Sequence, residues 1–216
     1  MGTEGKVRII VYADYLCPWC YNAAVRLQKI KEEYKELVEI RWKSFMLRLE
    51  PPERQKIDLK ELREWLKKSW GQVMGQEESG IFHFWESDEP FPTHSIPPLE
   101  AAKCAQLQGE EAFERYHALL LKGFFQENRD ISDRRVLIDL AERCRLDVEQ
   151  FARNYDRRTQ QKTILSEFFE AIQRYKVDGV PTAIFENSRI VVGAVPREVY
   201  RKIINNLLDS KVNKRS

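Results

Sequence analysis

Strand-type patterning occurs only near the two ends of this 216-residue chain. Near the N-terminus, the apolar run "KVRIIVYA" (6–13) and the alternating segment "VEIRWKSF" (38–45) flank a stretch whose apolar residues recur at helical spacing. Near the C-terminus, "VPTAIF" (180–185) and "RIVVGA" (189–194) precede an amphipathic helical segment (196–210). Only helical patterns occur between the two ends. The order therefore predicts an α/β fold, β-α-β followed by a helical block and then α-β-β-α.

This order predicts that both ends of the chain build one α/β unit. We expect residues 1–46 to form its first part, residues 47–157 to form an all-helical insertion, and residues 158–216 to complete the unit. No internal repeat occurs, and the Pro-rich connector 86–98 is the one segment of biased composition.

Helix starts within the insertion can be predicted from capping residues. Ser95 and Asp147 are positioned to cap the helices that follow them. The segment 58–74 is predicted to be a helix whose apolar stripe consists of Leu59, Leu62, Leu66 and Trp70.

Two cysteines, Cys17 and Cys20, stand where the first predicted strand gives way to the first helix. Free backbone N–H groups and the positive end of the helix dipole stabilise a thiolate at such a position, and a thiolate is the nucleophilic form of cysteine. Cys20 lies one turn further on, on the apolar face. The spacing therefore favours a redox pair in which Cys17 attacks and Cys20 resolves.

Two other interpretations of the pair remain at this point. It could supply half of a zinc site, although the other cysteines and the histidines occur singly and offer no second ligand pair. It could also be two reduced thiols without a role. We expect no metal. Cys104 and Cys144 lie on apolar helix faces, where buried free thiols are commoner than a second disulfide.

Composition excludes several classes of function. Thirty-six Lys and Arg residues against 34 Asp and Glu leave a net charge of +2, which does not favour a nucleic-acid partner. No stretch approaches 18 uninterrupted apolar residues, so we expect no membrane span. Four cysteines are too few for a secreted disulfide scaffold, and the first strand begins too early to follow a leader peptide. We therefore expect a cytoplasmic protein.

The motifs together resemble a known family. "DYLCPWCY", "RWKSFMLRLEPP", "LKGFFQENRDISDRRVLIDLAERCRLD" and "GVPTAIF" are similar to segments of the DsbA-type thioredoxin-fold oxidoreductases, most closely their cytosolic FrnE-like branch. The resemblance implies a protein thiol–disulfide oxidoreductase that works through a mixed disulfide. Its only redox group would be the Cys17–Cys20 disulfide, with no other cofactor. Protein or small-molecule thiols and disulfides, glutathione among them, would be its substrates.

The resemblance also implies a cis peptide bond between Val180 and Pro181, opposite the cysteine pair. Such a bond would present the backbone of Val180 to a docking polypeptide as an edge strand does. A trans proline that opens a strand is the alternative.

The chain departs from periplasmic DsbA at Trp19, where that protein has histidine. Since Trp19 cannot offer a charged hydrogen bond to the Cys17 thiolate, we expect a less oxidising couple. Trp19, Tyr15 and Tyr21 could form an apolar rim for substrate or could fill the gap between sheet and insertion. Asp14 is a candidate proton acceptor for Cys20, or else a solvated or helix-capping residue.

Two other functions remain open. Glutathione-dependent isomerases similar to 2-hydroxychromene-2-carboxylate isomerase have the same scaffold, although they typically carry serine at the first cysteine position. A non-catalytic chaperone or binding module is the second alternative. The direction of electron flow and the oligomeric state do not follow from the sequence.

Overall fold

The computed structural model describes residues 5–49, 58–87 and 89–213 and contains a four-stranded mixed sheet. The strands are β1 (Val7–Ala13), β2 (Val38–Ser44), β3 (Thr182–Phe185) and β4 (Arg189–Val192), and they lie in the order β2-β1-β3-β4. β1 pairs with β2 in parallel, whereas β3 pairs with both β1 and β4 in antiparallel fashion. Both ends of the chain thus build one sheet, which confirms the predicted fold class.

Eight α-helices accompany the sheet in the described residues. They are α1 (Pro18–Tyr34), α2 (Leu59–Met74), α3 (Ile96–Gln106), α4 (Glu110–Phe125), α5 (Arg134–Arg143), α6 (Val148–Asp156), α7 (Gln161–Arg174) and α8 (Arg197–Asn213). Helices α2 to α6 form the helical block between the two strand-bearing ends. The predicted boundaries between the domains, at residues 46 and 157, stay a prediction.

Helices cover both faces of the sheet. On one face, Val7, Ile9 and Val11 of β1 pack in a cluster with apolar residues of α1 and α8. Tyr12 points to the other face and packs with Ala171 of α7. Because successive strand residues point to opposite faces, β1 needs apolar residues on both. The sheet is therefore the middle layer of three.

The largest apolar cluster lies in the helical block. Trp70 is its centre: the ring of Trp70 is 5.8 Å from that of Phe82, 5.7 Å from Phe124 and 5.2 Å from Phe125. Tyr15 and Tyr21, which flank the cysteine pair, belong to the same cluster. The helical block therefore packs directly against the segment that carries the cysteines.

Several details of the sequence-based prediction change. Leu59 is exposed, and the buried stripe of α2 instead continues from Trp70 to Val73. Asp147 caps α6 by accepting a hydrogen bond from the Gln150 N–H, as predicted. Ser95 does precede α3, but its side chain makes no capping hydrogen bond. The "EPP" end of one family-like segment, residues 50–52, lies outside the described residues.

Candidate active site

Cys17 is the residue that immediately precedes α1. Its backbone is extended (φ −91°, ψ 113°), and its carbonyl accepts hydrogen bonds from the N–H groups of Cys20 (3.0 Å) and Tyr21 (3.3 Å). No side chain caps this end of α1, and Pro18 occupies its first turn. Since Pro18 has no N–H and the Cys20 N–H bonds to the Cys17 carbonyl, this end of α1 offers the Trp19 N–H and the helix dipole to a negative charge on the Cys17 sulfur.

The segment at Val180 lies opposite Cys17, as the family resemblance implied. The Val180–Pro181 peptide bond is cis. The Cys17 Sγ–H donates to the Val180 carbonyl oxygen over 3.5 Å, across 163 residues of sequence. Cys17 and the cis-proline segment therefore form one local site.

Cys20 is more enclosed than Cys17. The two residues are 2% and 6% exposed, and both are free thiols. Burial, followed by the hydrogen bond and the charge interaction with Cys17, raises the pKa of Cys20 well above its ordinary value. Cys20 therefore stays protonated at neutral pH unless its proton is removed during the reaction.

Asp14 is buried below the pair and joins three segments of the chain. Its carboxylate accepts hydrogen bonds from the N–H groups of Leu16 (2.8 Å) and Leu47 (2.8 Å) and from the Ser95 hydroxyl. Burial raises the pKa of Asp14, and these hydrogen bonds oppose the increase. Asp14 is thus neither solvated nor a cap of α1, and its role as a proton acceptor stays a prediction.

The three aromatic residues around the pair divide into two kinds. Tyr15 and Tyr21 are buried and fill the gap between sheet and helical block. Tyr21 stacks on Phe125 at 5.1 Å, and the Tyr15 hydroxyl lies 2.8 Å from His117 Nδ1. Trp19 is only half-buried. Of the three, Trp19 has the surface that a substrate could contact.

Three polar residues near Cys20 were not identified as site residues from the sequence. Ser44, Lys103 and His117 line a cavity of about 20 Å³ together with Cys20 and Asp14. Lys103 pairs with Glu167 at 2.7 Å. Since these residues come from β2, α3 and α4, no local spacing in the sequence brings them together.

The other two cysteines lie apart from this site. Cys104 and Cys144 are buried free thiols in the helical block. Burial raises the pKa of Cys104 to about 12 and also raises that of Cys144. They match the expectation for buried thiols in a core.

The described residues contain neither of two features that would change the class of protein. No group of three or more His, Cys, Asp or Glu side chains is arranged for metal binding in residues 5–49, 58–87 and 89–213. Over the same residues, no helix has the length and hydropathy that crossing a bilayer requires.

Comparison with known proteins assigns the chain to a family. Residues 8–205 match the model of the DSBA-like thioredoxin domain. The chain belongs to this family. A curated relative, the ClpXP adapter protein SpxH of Halalkalibacterium halodurans, is 27% identical, and the match covers 95% of this chain and 69% of SpxH.

Solved structures of DSBA-family and related proteins share the fold. A putative protein disulfide isomerase from Nitrosomonas europaea superposes with a TM-score of 0.72 at 18% identity, covering 98% of this chain and all of that one. The cytosolic disulfide reductase DsbM from Pseudomonas aeruginosa has a TM-score of 0.59 at 20% identity, with coverage of 95% and 98%. DsbM has also been solved with GSH.

Proposed function

We propose that this DSBA-family chain is a protein thiol–disulfide oxidoreductase whose redox group is the Cys17–Cys20 pair. The observation that carries the proposal is the position of Cys17: its sulfur lies at the uncapped start of α1 and 3.5 Å from the Val180 carbonyl. A thiol placed at a helix start and beside a partly exposed backbone segment is suited to nucleophilic attack on a docked disulfide.

The reaction follows from the unequal positions of the two thiols. The Cys17 thiolate attacks one sulfur of the substrate disulfide, and the other sulfur leaves with the electron pair. Cys20 then loses its proton and attacks Cys17 Sγ, which releases the second substrate sulfur and forms the Cys17–Cys20 disulfide. The substrate gains two electrons and the pair loses two. In the opposite direction the same steps oxidise a dithiol.

Substrate binding is assigned to the backbone of Val180 and Pro181 and to Trp19. The Val180 carbonyl faces Cys17, so an extended peptide bound along this segment would have its sulfur beside the nucleophile. Trp19 supplies a half-buried aromatic surface between the two cysteines. It cannot donate a charged hydrogen bond to the thiolate, which favours a less oxidising couple than one with histidine at this position.

The proposed partners are protein and small-molecule thiols or disulfides. Glutathione is included because DsbM, which shares the fold, has been solved with GSH. We place the chain in the cytosolic FrnE-like branch and in the cytoplasm, a proposal supported by the cytosolic description of DsbM. Asp14 is proposed as the acceptor of the Cys20 proton because both groups line one cavity.

An adapter function is the second candidate. It is favoured by the curated relatives named ClpXP adapter protein SpxH, which are 24–27% identical to this chain. Such a function needs a protein-binding surface but no thiol chemistry. The glutathione-dependent isomerase is less favoured, since both thiols of the pair are present at the site.

Cys17→Ser separates these functions. We expect the variant to lose disulfide reductase activity on insulin and oxidase activity on a reduced model protein, by roughly 10³-fold or more. Binding of an unfolded or partner protein should persist in the variant. Full retention of exchange activity by Cys17→Ser, with a native circular dichroism spectrum, would contradict the oxidoreductase assignment.

A further inference from the structure

The cavity behind Cys20 has room for a water molecule. It lies between the sheet and helices α3 and α4, and Cys20 is part of its wall. Its volume of about 20 Å³ exceeds the ~10–15 Å³ that one water needs in a polar site.

Two polar atoms of the residues around this cavity have no partner. Ser44 Oγ and His117 Nε2 are buried and make no hydrogen bond within the described part of the chain. Both residues line the cavity. Since a buried polar atom without a partner costs about 1–3 kcal/mol, two of them at one cavity indicate a site for a hydrogen-bonding molecule.

The two ring nitrogens of His117 differ in their contacts, since Nδ1 is paired with Tyr15 and Nε2 has no partner in the described residues. The Tyr15 hydroxyl lies 2.8 Å from His117 Nδ1, and burial raises the pKa of Tyr15 far above its ordinary value. The hydroxyl therefore stays protonated and is able to donate to Nδ1. Burial, with a smaller contribution from Lys103, lowers the pKa of His117 to about 3. The imidazole is thus neutral, and when Tyr15 donates to Nδ1 the ring hydrogen is on Nε2.

We propose that His117 is a positioning residue for the resolving step, because its Nε2–H holds a water in this cavity beside Cys20. The proposal rests on the proposed oxidoreductase function. Cys20 transfers its proton to this water as its sulfur bonds to Cys17 Sγ. The bond between Cys17 and the substrate sulfur breaks, and the electron pair leaves with the substrate. The water passes the proton to the Asp14 carboxylate, which lines the same cavity.

Other titratable groups besides His117 lie around Cys20 and also influence its ionisation. The groups that line the cavity with Cys20 or interact with it electrostatically are Asp14, Tyr15, Cys17, Lys43, Lys103, His117 and Tyr200. Lys43 and Lys103 are paired with Glu170 and Glu167. His117 differs from them because its ring is neutral and its buried Nε2 has no partner in the described residues.

The test measures the ionisation of Cys20 alone, in the full chain carrying Cys17→Ser. The rate of iodoacetamide alkylation at Cys20 is followed by peptide mass spectrometry between pH 7 and 10. We expect His117→Phe, which keeps the ring volume, to raise the pKa of Cys20 by about one unit and to slow its alkylation about tenfold at a fixed pH. His117→Gln keeps an N–H donor and should restore most of the rate.

Tyr116→Phe is the matched control from the same helix. It removes a buried hydrogen bond to the Leu137 carbonyl (2.9 Å) and leaves the cavity lining unchanged, so Cys20 should alkylate at the parental rate. If His117→Phe does not fold, Tyr15→Phe replaces it: losing the donor to Nδ1 frees the other tautomer, and we expect a smaller decrease in rate.

The proposal is overturned by an unchanged Cys20 rate in a folded His117→Phe or Tyr15→Phe variant, or by an equal decrease in His117→Gln or Tyr116→Phe. Because this titration needs no exchange activity, it is independent of the test of the proposed function. In the intact pair, the pH profile of mixed-disulfide resolution should shift upward in His117→Phe, while attack by Cys17 on oxidised glutathione stays within about twofold of its original rate.

Discussion

The four cysteines of this chain lie in two contrasting environments. Cys17 is at an uncapped helix start and faces a backbone carbonyl at 3.5 Å, whereas Cys104 and Cys144 are enclosed by apolar side chains of the helical block. Burial raises the pKa values of the latter two, with a smaller contribution from Glu100 at Cys104. Low exposure is common to all of them, so it does not distinguish a reactive thiol from a structural one. What distinguishes Cys17 from the structural thiols is the backbone around its sulfur.

Replacing single cysteines should give the largest difference between the two environments. In Cys20→Ser, the mixed disulfide at Cys17 has no resolving thiol, so we expect its lifetime to increase by roughly 10³-fold or more. Cys104→Ala should leave the lifetime unchanged. Non-reducing electrophoresis with peptide mapping measures both. A short-lived adduct in Cys20→Ser would assign resolution to another thiol.

Two tryptophans allow the helical block and the cysteine site to be compared by their contributions to stability. Trp70 is 1% exposed and packs against a group of phenylalanine rings, so we expect Trp70→Ala to cost about 3–5 kcal/mol of unfolding free energy. Trp19 is half-buried at the site, and Trp19→Ala should cost less than about 2 kcal/mol. Urea denaturation measures both. Equal costs would show that Trp19 is a core residue rather than a substrate contact.

The alkylation rates of the thiols should differ by a smaller factor than the lifetimes of the mixed disulfide. In the reduced protein near neutral pH, we expect iodoacetamide to modify Cys17 at least about tenfold faster than Cys20, and Cys104 more slowly still. Differential labelling with mass spectrometry gives the three rates. If Cys20 reacts as fast as Cys17, the two roles in the mechanism have been assigned the wrong way round.

The smallest effect concerns the pH dependence of stability. Burial lowers the pKa of His117 from 6.5 in the unfolded chain to about 3 in the folded chain. Below pH 6.5 the unfolded chain therefore binds a proton at His117 that the folded chain does not bind. The free energy of unfolding falls as the pH decreases through this range. Between pH 7.5 and 5.5 we expect His117 to contribute a loss of about 1 kcal/mol. His117→Phe should lack this part of the loss. Urea denaturation of both proteins at the two pH values measures the difference, and identical slopes would contradict a neutral, buried His117.

The sheet and the cysteine pair could be predicted from the sequence because their signals are local. Alternation identifies the strands, and the change from strand to helical spacing places Cys17 at the start of α1. The cis-proline segment came from the family resemblance. Leu59 shows the limit of such patterns: it fits the helical period of α2 but lies at its first turn, beyond the surface that the rest of the helical block covers.

The residues behind Cys20 could not be predicted in this way. Tyr15 and His117 are 102 residues apart, and Asp14 and Ser95 meet only because α3 begins beside the cysteine loop. Ser95 was predicted as a helix cap, a local role, but its hydroxyl bonds to Asp14 and to the Arg48 N–H (3.0 Å). Such contacts depend on how the helical block is placed against the sheet, which no short-range spacing encodes.

The hydrogen bonds of Asp14 also limit which helical blocks could replace the present one. One carboxylate holds the cysteine loop, the exit of β2 at Leu47 and the start of α3 at Ser95. A helical block transplanted from a relative would need a hydroxyl donor at the position of Ser95 to keep the loop in place. Exchanging the helical block would therefore also exchange a partner of this buried carboxylate, and a chimaera without a hydroxyl at the position of Ser95 should lose the geometry of the thiol pair before it loses the fold.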